Sequence, residues 1–388
     1  MTNDGERIYW LAWSQIKGIG PTIIRRIQEN FGSLEQAWKI PVNNLLSVEG
    51  IGSKLLSFIQ EKKTQIEPEK LFLEHCQKNP LFWTPNDAQY PLLLLEIPRP
   101  PSVLYYAGQF NPEENQGSKP LIGIVGTRQP TEHGRKWTYR ISAALAKHGF
   151  VVVSGLAMGI DAIAHRGCLD AGGRTIAVLG NGLDVIYPSS NGQLYQEITE
   201  KGLILSEYPA GTKPDRQHFP ARNRIVAGLC RAVLVMEAPE NSGALITARL
   251  ANEFGRDVYT LPNSPDQIKS RGCLRLIHNG AEVIITEEEL LSMLGAIPQL
   301  DSPQQLSLFE AQVKSSTPSI SATPPQPKLE PPFSIVFEAT ADSPTPFDVI
   351  VAKSGLSAGE VSGILLQLEL DGLVSQLAGM RYQKQSIL

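Results

Sequence analysis

Between Pro120 and Thr286 short apolar runs recur along the chain, each followed by a stretch whose apolar positions are spaced as on one face of a helix. The runs are "LIGIVG", "FVVVSG", "RTIAVLG", "GLILSE", "RAVLVMEA" and "RDVYTLP". Strands that are apolar on both faces, alternating with helices, predict a parallel sheet covered on both sides, a doubly wound α/β domain. In such a sheet, ligands bind where loops leave the carboxyl ends of the strands. Here those loops are "GTRQPTEHG", "GLAMGID", "GNGLDVIYP" and "APENSGALIT", all rich in Gly, Ser, Thr or Asn.

The flanking regions follow other patterns. Residues 1–82 predict short helices with two near-repeats, "IKGIGPTIIRRI" and "VEGIGSKLLSFI". Each is an apolar residue, a G-x-G turn and an amphipathic helix, which resembles helix–hairpin–helix or SAM-like units. Two readings stay open: turns that offer backbone N–H groups to a phosphate, or a bundle in which the glycines serve geometry alone. After the α/β domain, taken as 83–298, residues 299–332 are rich in Pro, Ser and Gln without an apolar period and predict a disordered linker. Residues 333–388 predict two helices and a β-wing, a winged helix. Lys353, Arg381 and Lys384 face six carboxylates there, a net charge of −3, which suits a protein-contact module better than a phosphate-lined groove.

Composition narrows the class. With 42% hydrophobic and 19% charged residues the chain is of ordinary globular type, and no apolar run approaches the ~18 residues of a membrane span. Its opening, "MTNDGERIYW", lacks a signal-peptide pattern, and its four cysteines form no C-x-x-C pair. Those features predict a cytoplasmic protein without a structural zinc site or disulfides. The net charge of −4 requires any affinity for nucleic acid to come from a local basic patch.

One such patch is Tyr208–Arg231, with Lys213, Arg216, Arg222, Arg224 and Arg231 against Asp215. Pro220 suits the first turn of a helix, which places Arg222 and Arg224 beside a helix N-terminus, where cations oppose the macrodipole and an anion is wanted. The competing expectation pairs them with loop carboxylates such as Glu207 or Glu237. Arg128 follows the first strand directly and projects over the same edge, with Thr127 and a candidate N-cap, Thr131, beside it. Ser242 and Gly243 open a later helix, with Thr247 one turn on. The turn at Gly155, in "VVVSGLAMGIDAIAHRGC", also points N–H groups at one spot, but its G-x-x-x-G spacing is not the dinucleotide fingerprint. Asp161 and His165 share a helical face, as an acid–base pair or as a packed histidine. No nucleophile elbow, Walker lysine loop, H-E-x-x-H or paired-carboxylate motif is present, so neither catalytic residues nor a metal or cofactor is expected.

"VGTRQPTEHG", "SGLAMGIDAIAH", "GRTIAVLGNGLDVIYP", "LSEYPAGTKP", "HFPARNRIVAGL" and "VLVMEAPENSGALITARLANEFGRDVYTLP" together resemble the DprA/Smf family of DNA-processing proteins. The resemblance implies a Rossmann-like domain that binds single-stranded DNA, forms a homodimer and helps load the RecA recombinase during natural transformation. By motif, Arg128, Arg222 and Arg224 would contact phosphates. The full set expected at the DNA is Gly126, Thr127, Arg128, Gly155, Lys213, Phe219, Arg222, Asn223, Arg224, Ser242, Gly243 and Thr247. "QLSLF", Gln305–Phe309, resembles the short motif that docks proteins on the sliding clamp. A different class of function is also open, a nucleotide-processing enzyme of the Rossmann-like phosphoribohydrolase type. The arginine cluster without a placed glutamate in "APENSGALIT" favours binding.

Overall fold

The computed structural model describes residues 4–296, 331–341, 345–370, 373–377 and 381–384. The stretch expected as a linker lies outside them except for its last two residues, and Gln305–Phe309 lies outside them entirely. The chain divides into two compact units, Met1–Ala311 and Gln312–Leu388.

A sheet of nine strands organises the first unit: β1 (Phe82–Trp83), β2 (Leu104–Gly108), β3 (Leu121–Val125), β4 (Val151–Ser154), β5 (Thr175–Leu179), β6 (Leu203–Ser206), β7 (Ala232–Val235), β8 (Asp257–Thr260) and β9 (Glu282–Val283). Their order is β1-β2-β6-β5-β4-β3-β7-β8-β9. The six runs read from the sequence are β3 to β8, all mutually parallel, and β9 joins them in the same sense. Strand order reverses between β3 and β7, so the crevice at their carboxyl ends is the topological switch point of a Rossmann-like sheet.

The alternation of strand side chains separates two cores. Leu121 and Val125 of β3, Val151 and Val153 of β4, and Val233 and Val235 of β7 face one layer. That layer is built from α6 (Leu92–Leu95), α11 (His218–Leu229), α12 (Gly243–Glu253) and α13 (Arg271–His278). Ile122, Ile124, Val152 and Leu234 face the opposite layer of α8 (Glu132–Lys147), α9 (Ile160–Asp170) and α14 (Glu287–Ala296), with α10 (Gly192–Lys201) alongside. Residues two apart share a face, so these strands need apolar residues at every position.

Strands β1 and β2 were not evident in the sequence. They extend the sheet antiparallel from β6, and β1 straddles the boundary expected between residues 82 and 83. The Trp83 and Tyr106 rings stack at 3.9 Å on this extension. Nearby α7 (Pro112–Asn115) inserts Glu114, whose side chain is fully buried, against Arg174 (Nε–Oε1 2.5 Å, Nη2–Oε2 3.1 Å). Arg174 also donates to the carbonyls of Gln109 (2.6 Å) and Lys201 (3.3 Å), tying the antiparallel edge to the start of β5.

The N-terminal helices α1 (Asp4–Ser14), α2 (Pro21–Phe31), α3 (Leu34–Lys39), α4 (Ser53–Gln65) and α5 (Pro68–Lys78) close over Trp10, Trp13, Ile24, Ile27 and Ile59. The two near-repeats form turns that precede α2 and α4, and they pack reciprocally. Leu55 of α4 lies 3.1 Å from the Cβ position of Gly18, and Ile23 of α2 lies 3.8 Å from that of Gly50. Leu55 and Ile23 hold equivalent places in the two repeats, so the sequence repeat is a local pseudo-two-fold. The bundle is joined to the sheet edge by Arg7 Nη2 to the Phe82 carbonyl (2.8 Å) and Trp10 Nε1 to that of Ser102 (2.8 Å).

The second unit has helices Phe333–Ala339, Phe347–Ser354 and Ala358–Leu370 with a three-stranded antiparallel sheet, a winged helix over Val336, Ile350, Leu365 and Tyr382.

Replacing Glu114 with Ala leaves the Arg174 guanidinium without its buried partner, for which a loss of about 3–5 kcal/mol of stability is expected. Urea unfolding of the variant checks this; a change under about 1 kcal/mol contradicts the assigned role.

Candidate nucleic-acid interface

The carboxyl ends of β3, β4, β5 and β7 meet above the switch point, and hydrogen bonds between their loops fix the shape of this edge. Thr131 caps α8 as its sequence suggests, its Oγ1 accepting from Gly134 N (3.1 Å). The buried carboxylate of Glu237, two residues after β7, accepts from Thr131 N (3.0 Å) and Oγ1 (2.8 Å), and the Glu237 carbonyl accepts from Thr127 N (2.7 Å). Glu237 therefore holds the arginine loop in place and pairs with neither Arg222 nor Arg224; of the expected carboxylate pairings, that of Arg224 with Glu207 forms. Ile160 N donates to the Thr127 carbonyl (3.1 Å), which ties this loop to the one after β4.

Arg222 lies beneath the edge. It is only 5% exposed, and its Nη1 donates to the carbonyls of Gly155 (2.9 Å) and Val178. A Cβ on residue 155 would lie 2.6 Å from Arg222 Cζ, so only glycine fits against the guanidinium. The Gly155 turn is thus built around an internal cation. Asp161, also buried, accepts from Gly155 N (3.1 Å) and Ala157 N (3.4 Å). Burial raises the Asp161 pKa, while Arg222 and these two amides oppose the shift. Burial lowers that of Arg222 against the attraction of Asp161, and nearby Arg128 pushes the same way as burial.

Above this floor Gly126, Thr127, Arg128, Phe219, Arg222, Asn223, Ser242, Gly243 and Thr247 line one open cavity of about 660 Å³, together with Tyr187 and Arg216. An adjoining slot runs from Gly155 and Arg222 past Met158 and Tyr187 to Arg128. Arg128 is exposed, with its Cζ 5.7 Å from the Phe219 ring centroid, and the Phe219 and Tyr187 rings lie 5.6 Å apart. Among the described residues neither Arg128 nor Arg216 is in an ion pair. Ser242 caps α12 by accepting from Ala244 N (3.2 Å), and Asn223 Nδ2 donates to the Gly243 carbonyl (3.2 Å), joining α11 to α12.

Two residues of the expected set stand apart. Lys213 is exposed on the loop after β6, outside the cavity lining. Arg224 is gripped by Glu207 (Nη1–Oε1 2.8 Å, Nη2–Oε2 2.6 Å) and donates to the Arg99 carbonyl (3.0 Å). The three arginines therefore do not form one cluster: Arg128 and Arg222 share the cavity and Arg224 does not. Helix α11 begins at His218, which puts Arg222 and Arg224 in its second turn, so the expected opposition to the macrodipole at the first turn is absent.

Tyr187 and Met158 had no part in the sequence-based set. Tyr187 ends the glycine-rich "GNGLDVIYP" loop, and an exposed aromatic there was the available signal. Arg216 was counted in the basic stretch without being given a contact.

The Asp161–His165 pair does not form. His165 is fully buried, with Nδ1 2.7 Å from Thr175 Oγ1. Because Thr175 Oγ1 donates to the Val152 carbonyl (2.7 Å), the histidine nitrogen is the donor to it. Among the described residues its Nε2 has no partner. Burial, aided by Arg222, lowers the pKa to about 3, so the ring is a neutral packing element. Among the described residues no group of His, Cys, Asp and Glu is arranged to hold a metal ion, and no helix is long and apolar enough to cross a membrane.

Residues 81–295 match the family model described as DNA recombination-mediator protein A, and residues 321–380 match the DprA winged helix domain. Protein Smf of Synechocystis is 54% identical over 98% of this chain and 100% of its own length. DNA processing protein DprA of Streptococcus pneumoniae is 42% identical over 62% of this chain and 83% of its own. Among solved structures, DNA processing protein A from Streptococcus pneumoniae superposes with a TM-score of 0.65 at 36% identity, covering 74% of this chain and 97% of its own. The Helicobacter pylori DNA processing protein A, described for its single-stranded DNA binding mode, gives 0.50 at 32% identity, over 56% of this chain and 97% of its own.

The histidine has a measurable consequence. Between pH 6.5 and about 3 the unfolded chain protonates His165 and the native state does not, so stability falls as pH drops through that window. The contribution approaches about 1.4 kcal/mol per pH unit. Unfolding of His165→Gln across pH 4 to 7 should show a shallower slope than the unsubstituted protein; identical slopes would contradict the neutral assignment.

Proposed function

The chain belongs to the DNA recombination-mediator protein A family, and from that premise we propose that the sheet-edge cavity binds the backbone and bases of single-stranded DNA. The observation that carries this reading is the Arg128 guanidinium, without an ion pair among the described residues, beside the half-buried Phe219 ring and the exposed Tyr187 ring at the switch point. A cation tracks phosphate without regard to sequence, and an aromatic face accepts any base, which are the two elements of single-strand binding. Gly126, Thr127, Asn223, Ser242, Gly243 and Thr247 supply amides and hydroxyls around them, and Lys213 extends the positive charge outward. The Helicobacter pylori relative, described as binding single-stranded DNA, supports the same reading.

In this proposal Arg222, Gly155 and Arg224 act from behind. Arg222 holds the floor that Gly155 accommodates, and Arg224 braces α11 against Glu207. The finer role is delivery of the bound strand to RecA recombinase during natural transformation, by a cytoplasmic homodimer associating through the Rossmann-like domain. Gln305–Phe309 would add a contact with the sliding clamp. We read the cavity as a binding site and not as that of a nucleotide-processing enzyme. Its nearest carboxylates, Asp161 and Glu237, are occupied by backbone amides, and His165 is neutral and walled in. Release of base or phosphate from nucleoside monophosphates by the purified protein would reverse that choice.

Arg128→Ala should weaken binding of oligothymidine and flatten the slope of log affinity against log salt by about 0.7. Phe219→Ala should cost about 1–3 kcal/mol of affinity and leave the slope unchanged. Fluorescence anisotropy across a salt series reads both, and wild-type affinity and slope in the double variant would overturn the assignment.

A further inference from the structure

A second groove, of about 220 Å³, lies between the first half of α2 and the segment that follows α6. Thr22, Arg25 and Glu29 form one wall; Leu95, Pro98 and Pro100 form the other. Arg26, also at this groove, is held by Glu49 (3.1 Å). Arg25 is exposed and, among the described residues, has no ion pair or side-chain hydrogen bond. The same holds for the Arg99 side chain, which stands exposed between the two prolines of the opposite wall.

The two grooves are joined through α11, which packs on Leu94 and Ile97 and is braced by one hydrogen bond. Helix α11 lines the sheet-edge cavity with Phe219, Arg222 and Asn223, and its next residue, Arg224, donates from Nε to the Arg99 carbonyl (3.0 Å). Pro98 and Pro100, which face Arg25 across the groove, flank the residue whose carbonyl Arg224 holds, which puts Arg25 on the same flank as this brace. With Arg224 paired to Glu207, the arginines on this flank without an ion pair among the described residues are Arg25 and Arg99.

We infer that this groove carries the continuation of the same DNA single strand, so that one strand engages both the sheet edge and the N-terminal helical region. The inference rests on the cavity binding single strands. An apolar wall of Leu95, Ile97, Pro98 and Pro100 opposite Arg25 suits bases on one side and a charged backbone on the other, with Arg99 exposed beside the groove. Glu29 is the one acidic group on the lining and opposes a phosphate there.

The test compares two lengths of oligothymidine, of about six and about twenty nucleotides, the shorter suited to the cavity alone. Arg25→Ala combined with Arg99→Ala leaves the Arg99 carbonyl and its brace intact. This variant should bind the longer strand roughly fivefold or more weakly, with a salt slope flattened by about 1.4, and bind the shorter one as before. Glu29→Gln should strengthen the longer strand only. If the unsubstituted protein binds both lengths and the double variant binds the longer one unchanged, the inference fails while the cavity reading stands. An equal loss on both lengths also removes it, since the arginines would then act on the cavity itself. If the unsubstituted protein binds neither length, the cavity reading fails and takes this one with it.

Discussion

The sheet edge depends on an internal cation. A guanidinium deep in a protein is tolerated only when its donors are met and a counter-charge is near, since an uncompensated buried charge costs about 3–5 kcal/mol. Arg222 meets both conditions through the carbonyls of Gly155 and Val178 and the field of Asp161. Asp161 in turn binds the amides of the very turn whose carbonyl Arg222 holds. One charge pair thereby fixes the loop after β4 and the last turn of β5 relative to α11. It does so without a direct ion pair, leaving the hydrogen bonds to set the geometry. Because α11 also carries Phe219 and Asn223, the aromatic and polar groups of the cavity inherit their positions from this buried arrangement.

The "RNR" triplet shows how adjacent residues on one helix divide the work. Arg222 points into the domain, Asn223 reaches across to the Gly243 carbonyl, and Arg224 closes on Glu207. A bidentate arginine–carboxylate pair gives directional rigidity, which a point charge does not. These residues order α11 so that its first turn can present Phe219 beneath Arg128. Glu237 plays the matching part on the other side of the switch point, receiving Thr131 so that the Gly126–Thr131 loop has one shape. The loops at this edge are held largely by residues that a solvent-borne ligand does not meet.

Much of the fold was legible from the sequence, for a physical reason. Strands β3 to β8 are buried on both faces along nearly all their length, so their Ser, Thr and Asp residues stand only at the ends, and the loops at their carboxyl ends announce themselves through Gly, Ser and Thr. Strands β1 and β9 have two residues each, and β2 lies near the sheet's edge, where the apolar run is short and mixed with tyrosine. No periodicity can be read from so few positions. For Arg224 the sequence offered both a phosphate and the Glu207 carboxylate, and the choice between them is set by packing across 17 residues of chain, not by spacing. The burial of Arg222 did leave a trace, since Ile225, Val226 and Leu229 follow it at helical intervals and place it on the apolar face of α11. A lone arginine in such a stripe, with glycine at a strand end, signals an internal cation and not a surface one.

A chain with a net charge of −4 must bind a polyanion through local arrangement, and pairing decides which cations count. An arginine already held by a carboxylate releases little on meeting a phosphate, because the new contact must first displace the old one and leave that carboxylate uncompensated. By that criterion the basic stretch Tyr208–Arg231 is weaker than its composition suggests: Arg224 is neutralised and Arg222 is internal. What remains facing the cavity is Arg128, from a different loop, and Arg216, both without acidic partners among the described residues. Part of that segment's richness thus resolves into scaffolding, and the effective charge combines its Arg216 with Arg128 from another strand end. Local charge counts along a sequence overestimate a binding site wherever the fold also supplies the counter-charges, and underestimate it where topology assembles single cations at one edge.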